Sequence, residues 1–281
     1  MGETTEIAWC NSTFNPWHGC QRVSPGCQNC YAEAFSKRIG LKIWGAEAPR
    51  RFFGESHWEE PRKWNAAAEK VGERRRVFCS SMADVFENRY DLDEQRARLW
   101  ALIDATPWLD WLLLTKRPEN MKLMVPRRWA ENAWPFNVWA GTTAEDQKRY
   151  DERWPWLANV PAIVRFVSIE PQLERIELRC NGCGHDTSAH LAPDQGGCSA
   201  WFPNWVITGG ESGHGARPYL TAWARDLLVQ CKGTPIKCFV KQMGAHCIDG
   251  VGITCHISHV STTVDRYRRA SSARAAATAC P

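Results

Sequence analysis

Seven short apolar runs, each followed by a polar turn and a stretch of helical spacing, constrain this chain more than any other feature. Trp111-Leu-Leu-Leu-Thr115 and Ile163-Val-Arg-Phe-Val167 are apolar on consecutive residues rather than alternating, as strands are when helices cover both faces of their sheet. Strands are expected at Glu6–Trp9, Arg76–Ser81, Leu109–Thr115, Asn137–Gly141, Ile163–Ile169, Trp205–Gly210 and Ile236–Gln242. Helical spacing runs through Tyr31–Ile39, Pro61–Val71, Leu92–Ala105, Pro118–Ala133, Ala144–Leu157 and Leu220–Lys232. Asp91 and Asp93 stand ahead of the third helix. Thr143 stands ahead of the fifth, with Glu145 and Asp146 in its first turn, where an N-terminus favours acceptors and negative charge. The alternation implies βα units, a parallel sheet and an α/β fold, most economically a complete or partial (β/α) TIM-like barrel. A chain of 281 residues, 44% hydrophobic, can bury such a core in one domain, expected over residues 1–250.

A parallel barrel places chemistry at the C-terminal ends of its strands. Polar residues gather there: Ser80, Ser81 and Asp84 after the second run, Lys116 and Arg117 after the third, and Thr142 and Thr143 after the fourth. Ser168 and Glu170 follow the fifth, Gly209, Gly210 and Glu211 the sixth, and Lys241 closes the seventh. Singly, each is also an ordinary strand-to-helix turn. As a set they face one mouth, where Lys116, Arg117 and Lys241 can balance Glu170 and Glu211.

The stretch Cys20-Gln-Arg-Val-Ser-Pro-Gly-Cys27-Gln-Asn-Cys30-Tyr31 brings three thiols into eleven residues. Three thiolates from one loop can hold three irons of a [4Fe-4S] cluster and leave the fourth open to a chelating ligand such as S-adenosylmethionine. A zinc clip is the competing reading; it needs a fourth protein ligand, and His18 and Cys10 are the local candidates. A second group, Cys180-Asn-Gly-Cys183-Gly-His185 with His190 and Cys198, fits a zinc knuckle over residues 178–203 on Cys180, Cys183, His190 and Cys198. This small Cys/His insertion falls between the fifth and sixth strands. Free thiols and a second iron-sulfur cluster are its alternatives.

The chain opens on polar Met1-Gly-Glu-Thr-Thr-Glu6 without an apolar leader, so its thirteen cysteines are expected reduced and the protein cytoplasmic. No run reaches the ~18 apolar residues of a bilayer span, so no membrane partner is expected. The formal charge of +4 points only weakly to an acidic partner. Sixteen tryptophans, some beside arginine as in Arg127-Arg-Trp129 and Arg153-Trp-Pro-Trp156, suit either base stacking or ordinary packing of helices on the sheet. Residues 251–281, ending in the Ala/Ser-rich Ala270–Ala279, carry no clear period and are expected to form a divergent or disordered tail.

Asn15-Pro-Trp-His-Gly-Cys20, Ser24-Pro-Gly-Cys27-Gln-Asn-Cys30-Tyr-Ala-Glu33, Leu114-Thr-Lys-Arg-Pro118, Val167-Ser-Ile-Glu-Pro171, Thr208-Gly-Gly-Glu-Ser-Gly213 and Phe239-Val-Lys-Gln-Met-Gly244 occur in this order. Together they resemble the phage-associated radical-SAM-like family of uncharacterised proteins, of the three-Cys-motif partner type. The resemblance implies a barrel of radical SAM type, a [4Fe-4S] cluster on Cys20, Cys27 and Cys30, and S-adenosylmethionine as co-substrate. The usual radical SAM loop is Cys-x3-Cys-x2-Cys, whereas six residues separate Cys20 from Cys27 here. The usual contact to the methionine amino group follows the second strand, which assigns it to Ser80, Ser81 and Asp84. Ser168, Gly209 and Gly210 then complete a cofactor-binding set. Glu211 becomes a ribose or substrate ligand, and Glu170, Glu211, Lys116 and Lys241 grip the reacting partners. An external electron donor is required, a partner protein encoded nearby is implied, and the substrate is open, with nucleic acid or a nucleotide as one candidate. A non-catalytic zinc-binding module associated with nucleic acid is the alternative.

Overall fold

The computed structural model describes residues 5–187 and 202–249. The chain runs β1 (Ser12–Thr13), α1 (Tyr31–Arg38), α2 (Glu55–Val71), β2 (Arg75–Cys79), α3 (Asp93–Asp104), β3 (Leu109–Thr115), α4 (Met121–Met124), α5 (Arg127–Glu131), β4 (Val138–Thr143), α6 (Gln147–Ala158), β5 (Val164–Ile169), β6 (Trp205–Gly209), β7 (Tyr219–Leu220), α7 (Thr221–Cys231), β8 (Lys237–Gln242) and β9 (Cys247–Ile248). Seven strands form one sheet in the order β1-β2-β3-β4-β5-β6-β8, every neighbouring pair parallel, and β7 and β9 form a separate two-stranded piece. The sheet curls into a partial barrel, with β1 and β8 as its unpaired edges among the described residues.

Both faces of the sheet are dry, which accounts for the continuous apolar runs. Phe78, Leu112, Trp139, Phe166, Trp205, Ile207 and Phe239 point inward and pack with Trp9. Val77, Leu113, Ala140, Val167 and Val206 point outward beneath Leu99, Ile103, Leu157 and Leu227 of the helical layer. Each side chain alternates face, yet each face is apolar, so no polar period survives in the sequence.

Six strands follow the sequence reading to within about two residues at either end, while the first does not. Glu6–Trp9 forms no strand: Cys10 N donates to Ile7 O at 3.1 Å, and Trp9 plugs the inner face, its ring 4.6 Å from that of Phe78. The edge strand is Ser12–Thr13, aligned with Val77 and Phe78. The helix expected at Pro61–Val71 begins at Glu55, because Trp58, Pro61, Trp64 and Ala68 share one buried face. That expected at Pro118–Ala133 is broken into α4 and α5 at Pro126, which holds the preceding Val125 extended. The cap of α6 is Asp146, accepting from Arg149 N at 2.7 Å, while Thr143 ends β4 and Glu145 is buried before the helix. Trp129 and Trp154, both beside arginine in sequence, lie in the core, so packing is their role; Trp156 is exposed.

Candidate active site at the C-terminal mouth of the sheet

The strand ends open onto a cavity of about 520 Å³, within the size range of small-molecule sites. Cys20, Cys27 and Cys30 line it, together with Ser80, Ser81, Asp84, Lys116, Ser168, Glu170, Gly210, Glu211 and Lys241. The fold thus gathers residues spread from position 20 to position 241 into one wall. Of the strand-end candidates, Thr142 and Gly209 are absent from the lining.

The cysteine loop is held by side chains from three strand ends and by a backbone carbonyl from a fourth. Gly26 N donates to Glu145 Oε1 at 3.0 Å, and Glu145 Oε2 accepts from Arg153 at 2.9 Å. A Cβ on Gly26 would lie 2.9 Å from Glu145 Cδ, so a larger residue here would push this carboxylate aside. Asn29 Nδ2 donates to Glu211 Oε2 at 2.9 Å and to Gly215 O at 3.0 Å. Arg217 pairs with Glu211 and donates to Pro25 O at 3.1 Å. Tyr31 Oη donates to Ser81 O at 2.7 Å, and Arg117 donates to Gln21 O at 3.2 Å.

Asp84 and Arg117 form a buried pair at 2.7 Å behind Cys20. Both oxygens of Asp84 are occupied: Oδ1 accepts from Thr115 Oγ1 at 2.6 Å and Phe86 N at 3.0 Å, Oδ2 from Arg117 and Lys116 N. Although burial acts against its charge, the Arg117 guanidinium and these donors together hold the carboxyl below its ordinary range. The same Arg117 nitrogen donates to Cys20 Sγ at 3.9 Å. Burial pushes the Cys20 thiol up to about 12, with the Asp84 charge adding to the rise. Ser80 Oγ donates to Ala83 O at 2.9 Å, and Ser81 Oγ accepts from Asn15 at 3.1 Å.

Across the mouth, Lys241 Nζ lies 3.3 Å from Glu170 Oε1, the pairing the sequence suggested. Glu170 Oε1 has no hydrogen-bond partner of good geometry, and Ser168 Oγ approaches Glu170 Oε2 at 3.5 Å. Lys116 lines the cavity and forms no ion pair among the described residues. The expected pairing of Arg117 with Glu170 or Glu211 does not form, because Asp84 takes Arg117 and Arg217 takes Glu211. Gly209 and Gly210 serve close backbone packing: a Cβ on Gly210 would stand 2.7 Å from Met243 O, and Gly210 N donates to Gln242 O at 3.1 Å.

Among the described residues, no three His, Cys, Asp or Glu side chains converge tightly enough to ligate a single metal ion. The three thiols line one cavity, and a cluster asks one thiolate of each for a separate iron rather than a common metal ion. The fourth ligand of a zinc clip is not supplied by either local candidate. Cys10 lies in the inner aromatic cluster, and His18 packs edge-on against Phe53 with ring centroids 4.8 Å apart; neither lines the cavity. The donor set therefore fits a cluster with one open corner.

At the second cysteine group, Gly182 N donates to Cys180 Sγ at 3.3 Å and Gly184 N to Cys180 O at 3.0 Å, so the turn aims amides at Cys180. Cys180 is buried and Cys183 exposed; His190 and Cys198 lie outside the described residues.

Glu145, Arg153, Asn29 and Arg217 are the site residues the sequence reading did not select for it. The one sequence signal was an acidic residue after Gly141-Thr-Thr-Ala144, which also suits a helix's first turn. Arg217 and Asn29 carried no signal of their own.

Fold and site together define an open parallel α/β half-barrel with a three-thiol loop clamped at its C-terminal mouth. The chain belongs to the family described as Protein of unknown function (DUF5131), whose model matches residues 4–276. No curated protein matches it. Among solved structures it is similar to a spore photoproduct lyase variant with bound AdoMet and dinucleoside spore photoproduct, at 12% identity and a TM-score of 0.41 over 84% of this chain and 57% of that one. A second spore photoproduct lyase variant matches at 10% identity and a TM-score of 0.44, over 81% of this chain and 75% of that one. A third, complexed with dinucleoside spore photoproduct, matches at 12% identity and 0.38, over 79% and 59%. The chain thus spans somewhat over half the length of the first of these proteins. No helix among the described residues is long and apolar enough to cross a membrane.

Proposed function

We propose that this protein is a radical SAM enzyme whose [4Fe-4S] cluster sits on Cys20, Cys27 and Cys30. The observation that carries the reading is that these thiols share one cavity with the polar ends of the parallel strands. When bound, the cluster supplies the electron that cleaves S-adenosylmethionine reductively to a 5′-deoxyadenosyl radical for hydrogen abstraction from substrate. The chain's part is to hold, orient and keep water out. The Ser80–Ala83 segment offers its backbone to the methionine amino group, with Asp84 bracing that turn through Phe86 N and Lys116 N. Ser168 and Gly210 shape the wall against the cofactor, and Gly209 lets Glu170 and the end of β8 close behind it. Glu170 and Lys241 present paired charges, and Lys116 a cation, to polar groups of cofactor and substrate. Glu211 acts mainly by fixing the cysteine loop through Asn29.

The electron comes from a donor outside the chain. Phage association, a partner protein encoded nearby and a nucleic acid or nucleotide substrate belong to this proposal through the motif resemblance. So do one domain over residues 1–250, a cytoplasmic setting and a zinc ion on Cys180, Cys183, His190 and Cys198. Gly182 N directed at Cys180 Sγ supports that zinc, which would brace the loop rather than react.

Anaerobic reconstitution with iron and sulfide, followed by dithionite and S-adenosylmethionine, tests the reading. Release of 5′-deoxyadenosine that disappears in Cys27→Ala is the expected result. A colourless protein holding only zinc and releasing no 5′-deoxyadenosine would overturn it.

A further inference from the structure

Arg117 is 6% exposed and shares a single guanidinium nitrogen between Asp84 Oδ2 at 2.7 Å and Cys20 Sγ at 3.9 Å. Its other terminal nitrogen donates to Gln21 O at 3.2 Å, and its backbone N to Thr115 Oγ1 at 2.9 Å. A surface arginine would be free to turn away. This one is fixed at four points, with its charge directed at one of three candidate ligands.

A hydrogen bond and a fixed positive charge at a ligating sulfur withdraw electron density from the iron, and both favour the reduced state of a cluster. We propose that Arg117, positioned by Asp84, is a tuning residue that raises the reduction potential of the cluster through Cys20. The inference rests on the cluster reading above. The couple is one electron from dithionite into the oxidised cluster; no proton moves, because the guanidinium stays charged in both states. Asp84 partly offsets the charge, so the hydrogen bond to sulfur and the net field act separately and can be separated by mutation.

Potentiometric titration of the reconstituted protein, followed by the EPR signal of the reduced cluster, reads this directly. Arg117→Met leaves Asp84 uncompensated and moves the midpoint furthest to negative potential, by on the order of tenfold in the reduction equilibrium, about 59 mV for one electron. Asp84→Asn/Arg117→Met removes the neutral pair and leaves the smaller shift due to the lost hydrogen bond. Arg117→Lys keeps the charge and stays closest to the parent. Equal midpoints in all four proteins at equal iron content overturn the inference while leaving the cluster reading intact. Loss of iron from all three variants also overturns it, since Arg117 would then hold the loop rather than tune it. A parent protein that takes up no iron and gives no reduced-cluster EPR signal defeats the underlying reading instead.

Discussion

Asn29 and Glu211 meet at 2.9 Å across 182 positions of sequence, tying the loop between Cys27 and Cys30 to the end of β6. Arg217 completes the contact by pairing with Glu211 and reaching back to Pro25 O. The geometry of the three thiols is therefore set from outside their own segment.

Glu211→Ala leaves Arg217 and Asn29 without their carboxylate. Hydrogen bonds to charged groups are worth about 1.5–3 kcal/mol each, and the partly exposed Arg217 recovers some of this from water. Stability is expected to fall by about 2 kcal/mol in urea unfolding, and amide exchange should rise most over residues 25–30. Glu211→Gln keeps an acceptor for Asn29 and should lose less.

Glu145 and Arg153 are buried, and the pair anchors Gly26. Removing one partner of a buried pair costs about 3–5 kcal/mol, so Glu145→Ala is expected to destabilise the chain on that scale and to lower iron uptake. Denaturant midpoints and iron content check the two effects independently.

The acid limb of stability follows from the same groups. Burial opposes ionisation of both Asp84 and Glu145, but Arg117 and Arg153 respectively, with the surrounding donors, outweigh it and leave both carboxyls below their ordinary range. Their contribution is therefore complete above the unfolded carboxylate values of about 4 and is lost as the pH falls through the lower folded values. Unfolding midpoints measured downward from pH 6 should stay level to about pH 4 with respect to these groups and then drop. Glu145→Gln should drop less steeply.

Gly141 of β4 faces the ring of Phe166, which a Cβ would overlap. Gly141→Ala is expected to cost about 1–3 kcal/mol by overpacking, with thermal unfolding as the measure. Gly141→Ala/Phe166→Leu should recover part of that loss.

The parallel sheet was legible because strands buried on both faces leave unbroken apolar runs, as at Leu109–Thr115, which matches β3 from end to end. The first strand was misplaced because Trp9 carries the same signature for a different reason, filling the inner face rather than pairing along it. Gathering strand-end residues at one mouth also followed from the fold class, and Glu170 with Lys241 met as their charges suggested. Which carboxylate serves which cation did not follow. Asp84 lies beside Arg117, and Arg217 beside Glu211, only after the strands are set side by side.

By itself, then, the sequence determined the parallel α/β architecture, the end of the sheet where polar groups collect, and the three-thiol loop, because these depend on local period and spacing. The tertiary structure alone decided that Glu145, Asn29, Glu211 and Arg217 clamp this loop and that Arg117 faces Cys20. Hydrogen bonds between residues about 100 to 190 positions apart leave no periodic trace in the chain. They exist because the ends of parallel strands converge, and burial there makes each charge take the nearest partner that satisfies it.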